Sequence, residues 1–229
     1  MNTITIAIDG YAGTGKSSTA KEVAKKLGYT YIDTGAMYRA VTLYFLQHHI
    51  PFDQVNPSML TAIDQIELRF QESVGGSMCM YLNGENVAQE IRSPKVSENV
   101  SEVAVHKPVR EKLVQQQRIM GQHGGVVMDG RDIGTVVFPK AELKIFMTAN
   151  MQVRAIRRQE ELREKGTEMS LEEVIENLSH RDQIDANRAI APLKKAEDAI
   201  EMDTSFTTFE QQVEQLCKLA REKMEELTH

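Results

Sequence analysis

The beginning of the chain alternates short apolar runs with helical patterns. The apolar run at residues 3–8 predicts a buried strand, and a helix is predicted over residues 17–27, with Gly28 as its C-terminal cap. A second strand over residues 29–32 and a second helix over residues 35–48 follow. Strands that alternate with helices in this way are typical of a parallel sheet covered by helices.

The middle of the chain has a different pattern, in which short apolar runs lie close together. The predicted strands are residues 67–71, 78–82 and 86–88, separated by Gly75-Gly76 and Asn83-Gly84. An Asn-Gly pair between two such runs is typical of a β-hairpin. We therefore predict a small β-rich subdomain, about residues 63–96, inserted into the α/β chain.

The remainder returns to an alternation of helices and strands. A helical pattern starts near residue 97 and continues through Pro108 to residue 122. Strands are predicted at residues 126–129, 143–148 and 199–202, and helices at residues 151–165, at 171–187 after a Ser170…Glu173 capping box, and from about residue 208. The expected organisation is a core of about residues 1–62, 97–150 and 189–229, with residues 151–188 forming a lid and its flanking helices.

Composition narrows the class of protein. Hydrophobic residues make up 41% and charged residues 26% of 229 residues, which favours a globular core with one insertion. A net charge of −6 disfavours binding to a nucleic-acid polymer or a membrane surface, so an anion-binding protein of this composition would have to concentrate its positive charge locally. Cys79 and Cys217 match no metal or redox spacing, and we find neither a signal peptide nor an apolar run of membrane-spanning length. A cytoplasmic location is expected.

A phosphate-binding motif follows the first strand. Gly10-Tyr11-Ala12-Gly13-Thr14-Gly15-Lys16-Ser17 fits G-x-x-x-x-G-K-[ST] and lies between a predicted strand and a predicted helix, which disfavours a chance match. In such a loop, backbone N–H groups and the helix N-terminus bind phosphate oxygens. We expect an exposed Lys16 to reach the β- and γ-phosphates of ATP, and Ser17 to be a ligand of Mg²⁺. The motif alone does not distinguish hydrolysis of ATP from transfer to an acceptor.

Positive charge is concentrated in one segment. Six arginines lie between positions 154 and 188: Arg154, Arg157, Arg158, Arg163, Arg181 and Arg188. One interpretation is a solvated helix face, with Arg157 balanced by Glu160 and Glu161. The other is a lid that closes over a triphosphate, because arginine bonds phosphate oxygens bidentately. The phosphate-binding loop on the same chain favours the lid.

Further charged groups occur at positions where ligands bind in parallel sheets. Asp129-Gly130-Arg131-Asp132 follows a predicted strand, and the segment from Asp33 to Arg39 follows another. Arg181, Asp185 and Arg188 share one helical stripe. This stripe is consistent either with ordinary helix salt bridges or with a polar wall for a ribose and a phosphate, and the spacing does not separate the two.

Four segments together resemble the bacterial cytidylate kinases of the longer type, and the resemblance covers the whole chain. They are residues 8–17, DTGAMYR at 33–39, DGRDIGTVVFP at 129–139 and HRDQIDANRAIAPL at 180–193. The resemblance implies a P-loop NTPase core whose parallel sheet is covered by helices on both faces, a small β-rich inserted NMP-binding subdomain and a short arginine-rich lid. It also implies transfer of the γ-phosphoryl group of ATP to CMP or dCMP. Thr34 replaces a serine common in this family, and Tyr11 replaces a proline.

The resemblance also implies roles for individual residues. The expected ATP-binding residues are Gly10 to Ser17, Ser18 and Arg157, and the groups expected to neutralise charge during transfer are Lys16, Arg131, Arg158 and Arg188. The expected acceptor-binding residues are Thr34, Arg39, Ser101, Arg110, Asp129, Arg131, Asp132, Arg181 and Asp185. Among these, Arg39 and Arg131 would hold the phosphate, Ser101, Arg110 and Asp132 the base, and Arg181 with Asp185 the sugar. A carboxylate such as Asp132 suits cytosine, whose N4 amino group is a donor where uracil has an acceptor.

Two alternatives to this hypothesis differ in class. One is a kinase for another small acceptor, such as UMP or a metabolite that is not a nucleotide. The other is a non-catalytic, nucleotide-gated regulator whose partner binds the inserted subdomain. We expect a monomer that binds small molecules only, and measurement of acceptor-dependent ADP release separates the three hypotheses.

Overall fold

The computed structural model describes residues 3–72, 78–164 and 166–228. The chain forms two compact units, one of Met1–Asp33 with Arg118–His229 and one of Thr34–Gln117. The strands are β1 (Thr5–Gly10), β2 (Thr30–Asp33), β3 (Leu68–Glu72), β4 (Met78–Leu82), β5 (Glu85–Asn86), β6 (Val126–Gly130), β7 (Leu143–Thr148) and β8 (Ile200–Asp203). The helices are α1 (Lys16–Leu27), α2 (Thr34–Gln47), α3 (Pro57–Gln65), α4 (Pro94–Val103), α5 (Lys107–Gly121), α6 (Met151–Glu164), α7 (Leu171–Asn187) and α8 (Phe209–Glu226).

The first unit is built on a parallel sheet with the strand order β2-β6-β1-β7-β8. All six residues of β1 are buried, as the apolar run at its start predicts. Ile6 and Ile8 of β1, and Ile4 just before it, pack in one cluster with residues of α1 and α8, among them Val23 and Leu216. The predicted fold class, a parallel sheet flanked by helices with a separate small β-rich part, is confirmed.

The topology of this sheet brings the ends of three strands to one edge. β1 lies between β6 and β7, and all three run parallel, with Asp9 opposite Gly130 and Gly10 opposite Met147. The segments that follow β1 and β6 therefore begin beside each other. In open parallel sheets this carboxyl edge is where ligands bind, next to the strand at which the connections change direction.

The second unit contains the predicted β-rich part. β3, β4 and β5 form an antiparallel sheet in that order. Asn83 and Gly84, which join β4 to β5, have φ angles of 49° and 87°, and a tight hairpin turn requires such positive values. The Asn83-Gly84 turn is thus confirmed, whereas Gly75-Gly76 falls outside the described residues, as does Lys165 at the predicted end of α6.

Two helical predictions differ from the structure. The helical pattern predicted from residue 97 through Pro108 to residue 122 is interrupted in the structure, because α4 ends at Val103 and α5 begins at Lys107. Pro108 lies in the first turn of α5, where its missing N–H would have no partner within the helix, whereas a continuous helix would lose a hydrogen bond there. The helix α3 was not predicted. Its local signal is Asn56, whose Oδ1 accepts from the backbone N of Met59, followed by a proline.

The predicted caps are present. The Ser170 side chain accepts from the backbone N of Glu173, and the Glu173 side chain accepts from the backbone N of Ser170. Thr208 and Gln211 form the same reciprocal pair at the start of α8. Gly28 ends α1 in the left-handed conformation, with φ of 69°. Each cap contributes about 1 kcal/mol and fixes where its helix begins or ends.

Gly10→Ala is expected to lower the free energy of unfolding more than Gly28→Ala. Both glycines have positive φ, 152° and 69°, but a Cβ at Gly10 would lie 2.2 Å from the Met147 carbonyl oxygen, whereas a Cβ at Gly28 meets nothing within 4 Å. Gly28→Ala should therefore cost only the backbone strain, about 1–2 kcal/mol, and Gly10→Ala should also force β1 and β7 apart. Urea unfolding of both variants measures the difference, and equal losses would contradict the packing argument.

Candidate active site

The loop between β1 and α1 has the shape of a phosphate cradle. Gly13 and Gly15 adopt left-handed conformations, with φ of 76° and 86°. Within the described residues 10–27, Gly15 gives α1 no side-chain cap, and the first turn of α1 carries no acidic residue. The first N–H groups of a helix that lacks a cap, together with its dipole, bind an anion. Ser17 and Ser18, in the first turn, are exposed.

Lys16 is buried, so the prediction of an exposed side chain is wrong. It is 6% exposed, and its Nζ donates to the Tyr11 carbonyl oxygen at 2.9 Å. The Thr14 hydroxyl donates to the same oxygen at 3.0 Å. An ammonium group that is withdrawn from water needs acceptors, and the loop backbone supplies one. Lys16 therefore also helps to close the loop.

The end of β6 adds a carboxylate beside this loop. The Ser17 hydroxyl donates to Asp129 Oδ2 at 2.7 Å, and the Tyr31 hydroxyl donates to Asp129 Oδ1 at 2.8 Å. Burial, followed by the nearby Asp33 carboxylate, raises the pKa of Asp129, while Lys16 opposes this. Burial and the Asp129 charge also raise the pKa of Tyr31. A hydroxyl and a carboxylate oxygen in contact suit Mg²⁺, whose charge would favour the ionised form of Asp129.

Arg154 on α6 lies against the loop, which excludes a solvated position for this side chain. It is 6% exposed and donates to Asp182 Oδ2 at 2.6 Å and to the Ala12 carbonyl oxygen at 3.2 Å. Its guanidinium is 5.2 Å from the centre of the Tyr11 ring, which is in the range of a cation–π contact. The tyrosine at position 11 thus contacts an arginine of α6. Sequence patterns gave no indication of Asp182, its partner on α7.

The other arginines of α6 have different partners. The Arg157 guanidinium donates two hydrogen bonds to Thr204. One goes to the Thr204 hydroxyl oxygen at 3.1 Å and the other to the Thr204 carbonyl oxygen at 2.7 Å. The Thr204 hydroxyl donates in turn to the Thr14 carbonyl oxygen at 2.9 Å, so the residue after β8 joins Arg157 to the loop. Arg158 pairs with Glu161 at 2.8 Å. Arg157 is therefore positioned beside the loop through Thr204, which was not predicted.

A second cluster of charges follows β6 and includes α7. Arg131 Nε donates to Asp185 Oδ2 at 2.9 Å, while Arg188 lies 3.4 Å from Asp132 and 3.8 Å from Asp185. Burial acts to raise the pKa of Asp185, but Arg131, Arg188 and Arg181 outweigh it and hold this pKa below its usual value. The shortest ion pair of Asp185 joins α7 to the end of β6. Asp185 thus pairs outside its own helix. Of the two interpretations that the spacing allowed, ordinary salt bridges within one helix do not account for this cluster.

The second unit holds the remaining candidate residues. They are Thr34, Arg39, Ser101 and Arg110. Thr34 is the buried first residue of α2, and Arg39 is half-buried on the same helix. Ser101 is buried on α4, and Arg110, only 2% exposed, donates to the Ala104 carbonyl oxygen at 3.1 Å. Their roles stay predictions.

Asp9 is a further buried carboxylate that sequence reasoning did not single out. It is 4% exposed, and its oxygens accept from the backbone N of Ile133 and of Gly134, each at 2.8 Å. Burial raises its pKa to about 7, while the two amides and Lys16 act to lower it and Asp132 acts to raise it. Its sequence signals are a charged residue at the end of an otherwise apolar strand and its place in the segment of residues 8–17.

This shift predicts a pH dependence of stability. Because the pKa of Asp9 in the folded protein is above its ordinary value of 3.8, the unfolded chain loses the proton first as the pH rises. The contribution is complete below about pH 4 and is lost as the pH approaches 7. The wild-type free energy of unfolding, relative to Asp9→Asn, should therefore fall by about 1 kcal/mol per pH unit between pH 4.5 and 7 and then level off. Urea titrations at each pH measure it, and a difference that rises with pH would contradict the argument.

Known proteins resemble this chain over nearly its whole length. Among the described residues, no helix is long and apolar enough to cross a membrane. The crystal structure of an uncharacterized protein from Eubacterium ventriosum has a TM-score of 0.51 at 12% identity, with 96% of this chain and 99% of that chain covered, which supports the fold alone. The cytidylate kinase of Cytophaga hutchinsonii is 52% identical over 100% of this chain and 98% of its own length, and that of Flavobacterium psychrophilum is 53% identical over 93% and 95%. The family model for cytidylate kinase matches residues 6–222, and the chain therefore belongs to the cytidylate kinase family.

Proposed function

We propose that the protein transfers the γ-phosphoryl group of ATP to CMP or dCMP, giving ADP and CDP or dCDP. The observation that carries this proposal is the pair of charged clusters in the first unit. One is the loop at the start of α1, and the other is the group of Arg131, Asp132, Asp185 and Arg188. A hydrolase needs only the first cluster, whereas a transferase needs a second one for its acceptor. The cytidylate kinase relatives give the class of acceptor.

On the donor side, we assign the ATP phosphates to the N–H groups of the loop, to the exposed Ser18 at the start of α1 and to Lys16. Lys16 contacts the loop backbone, so the ammonium exchanges one acceptor for a phosphate oxygen when ATP binds. Arg157 is assigned to the donor because Thr204 holds it beside Thr14. In this assignment the Lys16 ammonium supplies a compact charge, and the planar guanidinium of Arg157 can form two parallel hydrogen bonds to a phosphate.

We assign Mg²⁺ to Ser17 and Asp129. Their contacting oxygens are 2.7 Å apart, and burial next to the Asp33 carboxylate raises the pKa of Asp129, so a cation bound here would favour its ionised form. When bound, Mg²⁺ supplies charge that screens the phosphates of ATP and orients them. Tyr31 holds the carboxylate from its other oxygen, which fixes the direction in which Oδ2 points.

On the acceptor side, we assign the cytosine N4 amino group to Asp132, and the phosphate and sugar to Arg131, Arg181 and Asp185. Asp132 is 3% exposed and pairs with Arg188 at 3.4 Å, a distance at the outer limit of a hydrogen bond. Thr34, Arg39, Ser101 and Arg110 of the second unit remain predicted acceptor-binding residues.

The chemistry requires positioning more than a base. The acceptor is a phosphate oxygen that is already ionised at neutral pH, and the transferred group passes through a loose transition state. Two anions must approach each other, so the work of the protein is to neutralise charge and exclude water. We assign neutralisation to Lys16, Arg131, Arg158 and Arg188, and exclusion of water to the lid of residues 151–188.

The proposal predicts ADP release that depends on the acceptor. With ATP and Mg²⁺, a coupled assay over CMP, dCMP, UMP, AMP and GMP should show turnover with CMP and dCMP. Lys16→Met should reduce kcat by about 100-fold or more, because it removes a charge from the transferring group. A melting curve of this variant is the control, since Lys16 also closes the loop. Binding of ATP without acceptor-dependent turnover would overturn the proposed activity.

The base assignment predicts a loss of selectivity in Asp132→Asn. The ratio of kcat/KM for CMP to that for UMP should fall about 10- to 100-fold, because a hydrogen bond to a charged group is worth about 1.5–3 kcal/mol. The matched control is Asp53→Asn, the same substitution at an exposed position of the second unit, which should leave the ratio unchanged. An unchanged ratio in Asp132→Asn would exclude Asp132 as the base-reading residue.

A further inference from the structure

Asp9 forms a two-point clamp on the backbone that follows Asp132. Each of its two carboxylate oxygens accepts from one of two successive N–H groups, those of Ile133 and Gly134, at 2.8 Å. The carboxylate is supplied by β1, and the amides begin a short π-helix, Ile133–Val137. Single π-helical turns are rare and occur often at functional sites.

The π-helix also holds Asp132 from its other side. The backbone N of Val136 donates to the Asp132 carbonyl oxygen at 2.9 Å, and that of Val137 donates to the same oxygen at 3.2 Å. Asp132 therefore has its carbonyl group fixed by the helix and its following peptides fixed by Asp9. These hydrogen bonds restrict rotation of the peptide after Asp132, and the backbone sets the direction of the Cα–Cβ bond from which the carboxylate extends.

Close packing keeps the clamp short. A Cβ added at Gly134 would lie 3.1 Å from Lys144 Cδ and 3.4 Å from Asp9 Oδ2, so a glycine lets this backbone approach β1 and β7. The nearby charges pull on Asp9 in opposite directions, since Lys16 favours its ionised form and Asp132 disfavours it. Asp9 comes directly before the phosphate-binding loop in the sequence. Its two hydrogen bonds nevertheless go to the residues that follow Asp132.

We propose that Asp9 is a positioning residue for acceptor recognition, which fixes the peptides after Asp132 and so aims the Asp132 carboxylate at the base. This inference rests on the proposed function, in which Asp132 reads cytosine. A carboxylate suits the task because both of its oxygens are acceptors, whereas an asparagine has one oxygen and would turn an NH₂ group towards a second N–H donor. The effect on the base passes through Asp132, so Asp9 itself does not touch substrate.

The test is a double-mutant cycle with Asp9→Asn, Asp132→Asn and the double variant. Asp9→Asn should lower the CMP-to-UMP ratio of kcat/KM about 10-fold or more, raise the KM for CMP and leave the KM for ATP within about twofold. In the Asp132→Asn background, Asp9→Asn should cause no further loss of the ratio, because residues that act as a unit are not additive. A purely structural role would not produce this pattern.

Val213→Ala is the control for stability. Val213 is buried in the core on α8, and its truncation should lower the melting temperature without changing the ratio. If Asp9→Asn does not fold, Gly134→Ala addresses the same question from the other side of the hydrogen bonds. The added Cβ crowds Lys144 and Asp9 Oδ2, so the backbone that Asp9 binds must shift. Gly134→Ala should also raise the KM for CMP and spare the KM for ATP.

Three results would overturn the inference while the proposed function stands. They are an unchanged ratio in folded Asp9→Asn and Gly134→Ala, an equal rise in the KM for ATP and for CMP, and additive losses in the double variant. Wild-type protein without CMP-dependent ADP release would instead overturn the proposed function, and this inference with it. The wild-type assay is therefore measured first.

Discussion

Burial of a carboxylate is tolerated only when its charge meets donors or cations, and this constraint organises the carboxyl edge of the large sheet. Asp9, Asp129, Asp132 and Asp185 are each at most 4% exposed. Asp9 accepts from two backbone amides, and Asp129 accepts from two hydroxyls. Asp132 and Asp185 pair with arginines. Removing one partner from a buried charge costs several kcal/mol. The loops that carry these partners are held where the charges require them.

The same constraint gives the cations of the site a second use. Lys16 bonds to the loop backbone, Arg131 to Asp185 and Arg188 to Asp132. Each contact orders a long side chain before any nucleotide binds, which lowers the entropy that binding must offset. A bound nucleotide then replaces the internal partner of such a side chain. The net free energy of that contact is the difference between the contact to the ligand and the contact inside the protein. Arg154 differs, because its partners are a carboxylate and the loop itself.

Features with a local signal could be predicted from the sequence. The apolar alternation of β1, the cap at Gly28, the Ser170 capping box and the Asn83-Gly84 turn depend on neighbouring residues, and the structure has all four. The burial of Lys16 and the contacts Tyr31–Asp129 and Asp9–Gly134 could not be predicted, because their partners are set by folding. The last two pairs are separated by 98 and 125 positions. The motif segments identified which residues matter, and the topology determined which of them meet.

Thr204 has a consequence for the order in which this chain matures during synthesis. The phosphate-binding loop leaves the ribosome before Thr204, whose hydroxyl bonds to the Thr14 carbonyl oxygen and which follows 190 positions later. Arg157, which bonds to the same threonine, is also made long after the loop. A nascent chain can form β1 and α1 early, but the loop gains its contact with Thr204 only after β8 has been made. The loop therefore completes its set of contacts long after its own strand and helix have been synthesised.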